Sequence, residues 1–439
     1  MKEKIKDNLI LLLANRDLNQ SFKTMVLRVI GVATLFGFTL FLTNTYDPKI
    51  IGQYDFIRTF LLVTGSICIA GTDQSILYFA GILQTKSELD RLKKIYYKMV
   101  SFILGLSLLA IAALYVVGEE FISFYLNDYT IFSIILKATC MLFFYCVTLF
   151  NTEVLRALKQ VYIAELYRNT FKYASVIVGG IVLFYINEES YLVDTFLIGF
   201  LALSVLSTFK ILSIFKKNTI VQKSELGNEF TYQFIFLKSY PMAISTLAIF
   251  LLMSFDVLFL KKFKGNETVA FYALAIKLMT LLLVVMNSVN ITISPKIAEL
   301  FFAKKTIELK KTMRDSARLI VAISLPVVVC FCLLSRPLLS LFGQKYLIAR
   351  EPLLILMIGQ GICSFFGGVQ VYMNMTGKQN IFQFILILAV VLNFTLNYIL
   401  VPLYGMNGAA FSYVLSMFFW NFITSIIIYK KDKISVFLT

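Results

Sequence analysis

The chain has 439 residues, of which 59% are hydrophobic and 15% are charged, and its formal net charge is +16. Soluble globular domains average about 45–50% apolar and about 25% charged residues, so this composition indicates a membrane protein. Histidine is absent from the sequence, which excludes His-based acid–base catalysis and His metal sites. The six cysteines all lie inside apolar runs and are interpreted as core residues, not disulfides or metal ligands.

The N-terminal stretch, MKEKIKDNLILLLANRDLNQSFK, has a short apolar core and no small-residue cleavage site. It is therefore not predicted to be a cleaved signal peptide. We expect residues 1–22 to form an amphipathic helix on the inner membrane surface.

Twelve apolar segments follow, each long enough to cross a bilayer as a helix, which takes about 20 residues. They lie at 24–43, 54–80, 98–118, 131–154, 168–186, 192–215, 238–260, 269–294, 317–336, 351–374, 381–402 and 408–429. The longest polar stretch separates six spans from six. We therefore predict an all-α polytopic membrane protein, with two six-helix bundles around a central cavity. Its expected parts are an N-terminal lobe (1–215), a cytoplasmic linker (216–237) and a C-terminal lobe (238–439).

The positive residues predict the orientation of the chain, because Lys and Arg concentrate in cytoplasmic loops. If the N-terminus is cytoplasmic, the inner segments hold 31 of the 41 Lys and Arg residues, the outer loops hold seven and the spans hold three. Both termini are thus expected in the cytoplasm. The net charge then reflects topology, and no nucleic-acid partner is expected.

The three cations inside predicted spans are Arg58, Lys137 and Lys277. A charge at the centre of a spanning helix costs about 2.5–3.5 kcal/mol, so such residues usually face protein or water. We expect Lys137 and Lys277 to line an aqueous cavity. Arg58 either does the same or forms an interfacial ion pair with Asp55, three residues earlier.

Three acids are candidates for ion coupling: Asp73, Glu153 and Asp256. Asp256 could bind a coupling H⁺ or Na⁺, but a structural ion pair with Lys277 or Lys137 is the favoured interpretation. Glu153 could pair with Arg156, which lies near the inner boundary, as Arg28 does.

Tyrosines and amides complete the candidate site. Tyr54 and Tyr272 stand at the outer starts of the second and eighth spans, and a cation follows each within five residues. This similarity weakly indicates a parallel repeat of the two halves. Amides such as Asn290 either bridge helices or contact sugar hydroxyls. An excess of cations at membrane depth would attract an anion, and a lipid-linked phosphate compound fits.

Four stretches in order resemble polysaccharide repeat-unit flippases of the multidrug/oligosaccharidyl-lipid/polysaccharide exporter superfamily. They are TNTYDPKIIGQYDFIRTFLLVTGSICIAGTDQSILYF (43–79), KSYPMAISTLAIFLLMSFDVLFLKKFKGNETVAFYALAIKLM (238–279), SPKIAEL (294–300) and NFTLNYILVPLYGMNGAAFSYVLS (393–416). Related flippases of lipid-linked cell-wall precursors use cations on their first, second and eighth helices, and Arg28, Arg58 and Lys277 occupy similar places. One departure is Val257, which follows Asp256 where the family often has arginine.

The resemblance implies a flippase that moves undecaprenyl-pyrophosphate-linked oligosaccharides from the inner to the outer leaflet of a bacterial cytoplasmic membrane. It implies alternating access, no cofactor, and a role in O-antigen, capsule or surface polysaccharide assembly beside polysaccharide polymerase machinery. One alternative is a cation-coupled multidrug antiporter of the same superfamily. The other is a membrane glycan polymerase or ligase, which usually needs a larger outer loop than the sequence offers.

Overall fold

The computed structural model describes residues 16–85, 90–128, 130–217 and 231–434, and within these ranges every regular element is a helix. The described residues of the N-terminal half form ten α-helices. They are α1 (Arg16–Thr45), α2 (Pro48–Ile69), α3 (Thr72–Thr85), α4 (Asp90–Val117), α5 (Glu119–Leu126), α6 (Ile131–Cys140), α7 (Leu142–Ala157), α8 (Val161–Glu165), α9 (Lys172–Tyr185) and α10 (Leu192–Lys217). A π-helical stretch, Leu166–Phe171, joins α8 to α9, and a 3₁₀ turn, Glu189–Tyr191, precedes α10.

From Tyr232 to Lys433, the described part of the C-terminal half has seven α-helices and a 3₁₀ segment, Gln344–Ala349. The helices are α11 (Tyr232–Leu252), α12 (Phe255–Lys264), α13 (Asn266–Phe302), α14 (Thr306–Ser340), α15 (Arg350–Ser364), α16 (Val369–Met375) and α17 (Gln379–Asp432). The 54-residue α17 is interrupted at Gly405, whose φ of 55° and ψ of −128° are not helical, so it holds the two predicted spans 381–402 and 408–429.

In the part of the chain that the structure describes, seven helices are long and apolar enough to cross a membrane, or nine if two bent pairs each count as one span. Each of the twelve predicted spans overlaps one of the helices above. The lower count arises because α17 holds two spans, while α1 and α9 offer shorter apolar stretches. The prediction of an all-helical polytopic membrane protein is confirmed.

Several spans are broken, and glycine explains the break in the second span. The second span bends by 45° between α2 and α3, where Ala70 and Gly71 have φ values of 48° and 75°. A Cβ on Gly71 would lie 2.3 Å from the carbonyl oxygen of Ser239, so both conformation and space require glycine. The ninth span, by contrast, runs as the unbroken helix α14 through Pro326.

Contacts divide the chain into two compact units. Unit 1 comprises residues 1–45, 64–124 and 128–244, and unit 2 comprises 46–63, 125–127 and 245–439. Unit 2 has a core of buried aliphatic and aromatic side chains around Tyr372, Phe382 and Trp420. The lobe boundaries drawn from the sequence stay a prediction, since most of the linker 216–237 and of the segment 1–22 lies outside the described residues.

Candidate functional site

A buried carboxylate in unit 2 holds two of the predicted cations. Lys277 Nζ lies 2.9 Å from each oxygen of Asp55. Arg58 Nη2 lies 3.6 Å from Asp55 Oδ1, so the predicted pair of these two residues is confirmed. The Asp55 side chain is 1% exposed, that of Lys277 8% and that of Arg58 27%. Lys277 is thus shielded from solvent, while Arg58 is partly accessible.

The backbone of α2 brings Asp55 to α13. Gly52, one turn before Asp55, lies so close to the first residue of α13 that a Cβ would be 1.8 Å from the carbonyl oxygen of Asn266. Arg58 follows Asp55 by three residues, which places both on neighbouring positions of the same helix face. The close approach allowed by glycine therefore sets the geometry of the ion pairs.

A second acid, Asp256, is buried in unit 2. Its side chain is 0% exposed, and Tyr272 donates a hydrogen bond to Oδ2 at 2.7 Å. Its other oxygen has no hydrogen-bond partner among the described residues. The favoured interpretation, an ion pair with Lys277 or Lys137, is wrong, because Lys277 pairs with Asp55 and the hydroxyl of Tyr272 serves Asp256.

Sequence reasoning misses one buried cation. The span boundaries assign Lys261 to an outer loop, but it lies in α12 and is only 3% exposed, with Nζ 5.9 Å from the centre of the Phe56 ring. The available signal is its spacing of four residues from Val257, another buried residue of α12. That spacing puts both on one helix face.

The remaining predicted contact residues of unit 2 also lie within its helices. Tyr54 is 2% exposed and Tyr272 is fully buried. Asn290 lies on α13 near the break between α15 and α16, where a Cβ on Gly368 would be 3.1 Å from its Oδ1. This buried oxygen has no hydrogen-bond partner among the described residues.

Elsewhere in unit 2, amides bridge helices as the sequence suggests. Asn397 donates to the carbonyl and side-chain oxygens of Asn393, and Asn393 donates to the backbone of Ser412 at 3.3 Å. The bond from Asn393 to Ser412 ties the two parts of α17 together across the Gly405 break.

Unit 1 holds the other predicted site residues. Lys137 pairs with Asp194 at 2.8 Å and is 52% exposed. Glu153, 6% exposed, accepts hydrogen bonds from Arg156 at 2.8 Å and from Arg168 at 3.0 Å, so its predicted pair with Arg156 is confirmed and a second arginine is added.

Asp73 and Arg28 are the last two predicted residues. Asp73 stands in the first turn of α3, directly after the break, and accepts a hydrogen bond from Gln74 at 3.3 Å. Arg28 lies in α1, but its side chain is outside the described part of the structure. The site roles of all these residues stay predictions.

Nothing in the described ranges resembles a metal centre, since no group of three or more His, Cys, Asp or Glu residues is suitably placed. Instead, each unit contains a buried carboxylate that pairs with two basic side chains: Asp55 in unit 2 and Glu153 in unit 1. Such an arrangement can bind an anion, which would compete with the carboxylate for the same donors.

Comparison with known proteins places the fold. A family model described as MatE matches residues 241–399, and no curated protein matches the sequence. The lipid II flippase MurJ, in an inward closed conformation, is 14% identical with a TM-score of 0.69, over 93% of this chain and 87% of that one. An inward-facing multidrug resistance MATE family transporter of the MOP superfamily is 13% identical with a TM-score of 0.72, over 93% and 98%. The MATE multidrug transporter DinF-BH is 13% identical with a TM-score of 0.69, over 97% of each chain.

The chain has the fold of these flippases and transporters. The MatE match and the shared fold support the multidrug/oligosaccharidyl-lipid/polysaccharide exporter superfamily suggested by the sequence motifs. The proteins matched are transporters or flippases, not enzymes. They include both lipid flippases and multidrug transporters, so they do not distinguish a polysaccharide repeat-unit flippase from an antiporter.

Proposed function

We propose that this multi-pass membrane protein is a flippase for undecaprenyl-pyrophosphate-linked oligosaccharides. It would act by alternating access in a bacterial cytoplasmic membrane, with both termini in the cytoplasm. The observation that carries the proposal is the pair of cations, Arg58 and Lys277, gathered on the single buried carboxylate Asp55. This group has one positive charge more than it has negative ones.

The pairing suggests how an anionic headgroup would be bound and released. Asp55 holds the Lys277 side chain in place when no substrate is bound, since an unpaired buried charge is strongly disfavoured. A diphosphate offers more negative charge and more acceptor oxygens than one carboxylate, so it would compete with Asp55 for both cations. The resting ion pair returns when the headgroup leaves. Tyr54, Tyr272 and Asn290, which also belong to unit 2, are the proposed sugar contacts, and Lys137 and Arg28 of unit 1 stay candidate substrate-binding residues.

Coupling to an ion gradient is assigned in this proposal to Asp256. A buried carboxylate with one oxygen unpartnered among the described residues can take up a proton or a cation. Glu153 and Asp73 are the other coupling candidates. The product would pass to polysaccharide polymerase machinery on the outer side.

The same Asp256 favours the second candidate function, a cation-coupled multidrug antiporter. A buried carboxylate beside aromatic residues is a suitable site for an organic cation. The two candidates differ in the charge of the cargo, so transport assays can separate them. The remaining alternative, a glycan polymerase or ligase, has no support among the described residues.

The test uses the full chain reconstituted in liposomes with a fluorescent undecaprenyl-diphosphate-linked oligosaccharide, whose outer-leaflet fraction is read by chemical quenching. We expect transport by the wild type and its loss in Lys277→Met. Lys264→Met is the matched control, because Lys264 is an exposed lysine of the same unit. Efflux of a fluorescent organic cation such as ethidium, with no movement of the lipid-linked sugar, would instead establish the antiporter.

A further inference from the structure

Unit 1 contains a second carboxylate that gathers two cations, at the end of α7 that is predicted to face the cytoplasm. Arg156 Nη1 donates to Glu153 Oε2 at 2.8 Å, and Arg168 Nη1 donates to Glu153 Oε1 at 3.0 Å. Each oxygen of the buried carboxylate thus fixes one guanidinium. The two arginines come from different elements, α7 and the π-helical stretch, and converge on one point.

The arginines retain donors that do not reach Glu153. A guanidinium has five N–H donors, and the side chains of Arg156 and Arg168 are 35% and 50% exposed. Because Glu153 anchors one edge of each guanidinium, little side-chain entropy remains to be lost when another anion binds the other edge. The free edge of a planar guanidinium presents parallel N–H donors that match the spacing of two phosphate oxygens.

The backbone near Arg168 supports a functional role. Single turns of π-helix are rare and often occur at functional sites. Here the π-helical stretch carries Arg168, and its Asn169 packs so tightly on α1 that a Cβ on Gly31 would lie 2.7 Å from Asn169 Cβ. The stretch is thus fixed against a second helix, which holds Arg168 in place. Arg28 lies three residues before Gly31 on that helix.

The surroundings have the character of a membrane interface. Tyr162 and Phe171 are large exposed aromatic side chains, of the kind that lies at lipid headgroup level. Close in sequence are the cations Lys159 and Lys172 and the carboxylate Glu165, and Asp73 interacts electrostatically with Glu153. Asn169 donates to Glu165 at 2.6 Å, which satisfies part of that carboxylate. Among these residues and the Glu153 cluster, four cations face three carboxylates.

We propose that Arg156 and Arg168, held by Glu153, bind the phosphate of a lipid headgroup in the leaflet that is predicted to be cytoplasmic. The phosphate belongs either to an anionic phospholipid or to a polyprenyl diphosphate. One arginine is enough to neutralise the buried carboxylate of Glu153, so the second arginine adds a positive charge that the ion pair itself does not require. A phospholipid at this site is independent of the cargo, whereas a polyprenyl diphosphate there rests on the proposed function.

The test measures lipid-dependent shifts in the Tm of the full chain in detergent. The added probes are dioleoyl phosphatidylglycerol, undecaprenyl diphosphate, zwitterionic dioleoyl phosphatidylcholine and sodium diphosphate. Wild type is compared with Arg156→Gln/Arg168→Gln. Lys94→Gln is the matched control, because Lys94 is an exposed lysine of unit 1 on the same predicted cytoplasmic side.

We expect the wild-type Tm to rise with phosphatidylglycerol, undecaprenyl diphosphate or both, and not with phosphatidylcholine. The double variant should weaken the apparent affinity at least about tenfold, since it loses two charge-assisted contacts. The control should respond as the wild type does. A response to phosphatidylglycerol identifies a phospholipid site, and a response to undecaprenyl diphosphate alone identifies the lipid carrier.

The proposal is overturned if the double variant keeps the wild-type lipid response, if Lys94→Gln loses it equally, or if only sodium diphosphate acts. Should the double variant not fold, Arg168→Gln alone serves, because this more exposed side chain contributes less to the fold. That variant should weaken the response by about threefold or more, the loss expected for one contact. An unchanged response in that variant likewise overturns the proposal.

Discussion

The ion pair between Asp55 and Lys277 gives the sharpest test of the structure. In Asp55→Asn, Lys277 remains 8% exposed and loses its partner, with Arg58 left nearby as a like charge. Removing one partner of a buried pair costs about 3–5 kcal/mol, and we expect the lower end because Arg58 can turn to water. At about 2 °C per kcal/mol for a large chain, the Tm falls by about 6 °C.

The reverse substitution should be milder. In Lys277→Met the carboxylate of Asp55 keeps Arg58, 3.6 Å away, so the free energy of unfolding falls by only about 1–2 kcal/mol. The double variant Asp55→Asn/Lys277→Met leaves neither buried charge and should be more stable than Asp55→Asn alone. The wild type and these three variants form a double-mutant cycle, which is expected to give a coupling energy of about 2 kcal/mol between Asp55 and Lys277.

The Tm of each of the four proteins is measured by thermal unfolding of the full chain in detergent. Transport by the same four proteins is measured in liposomes. Under the proposed function, the double variant recovers stability but not transport, because Lys277 is needed for the headgroup. Equal losses of Tm in the two single variants, with a double variant that loses their sum, would refute the pairing.

Two further predictions concern glycine packing and the buried acid of unit 2. Gly52→Ala should lower the free energy of unfolding by about 1–3 kcal/mol, since the new Cβ collides with the Asn266 carbonyl. Gly37→Ala is the control: nothing lies within 4 Å of its new Cβ, so the free energy of unfolding should rise by about 0.5–1 kcal/mol. Both changes are measured as shifts in Tm. Tyr272→Phe should cost about 1–3 kcal/mol, since it leaves buried Asp256 without its donor. Restoration of the Tyr272→Phe Tm by the added change Asp256→Leu would support this cause, and a wild-type Tm in Tyr272→Phe would contradict it.

Helices are predictable here because the signal for a membrane span is long and simple. About 20 apolar residues in a row require a helix in lipid, and each predicted span overlaps one. Breaks within spans are harder to locate. Proline inside a helix usually kinks or breaks it, yet α14 runs unbroken through Pro326, whereas the second span breaks at Ala70 and Gly71 without a proline.

Pairs close in sequence can be predicted, but distant pairs cannot. Spacing of three residues on a helix predicts the pair of Asp55 with Arg58. No such rule links Asp55 to Lys277, which lies 222 residues further along the chain. The burial of Lys261 could not be predicted for a related reason. The composition of its KKFK stretch is typical of a solvated segment, yet the structure buries the Lys261 side chain.

The break between α2 and α3 has a consequence for hydrogen–deuterium exchange. A helix leaves its last carbonyls and first amides without partners inside the helix. Thr72 covers one carbonyl, that of Ile69, through its hydroxyl at 2.7 Å. Amides at Gly71–Asp73 should therefore exchange early, well before those of the flanking turns, and deuterium uptake would begin in the interior of a membrane span instead of at its ends.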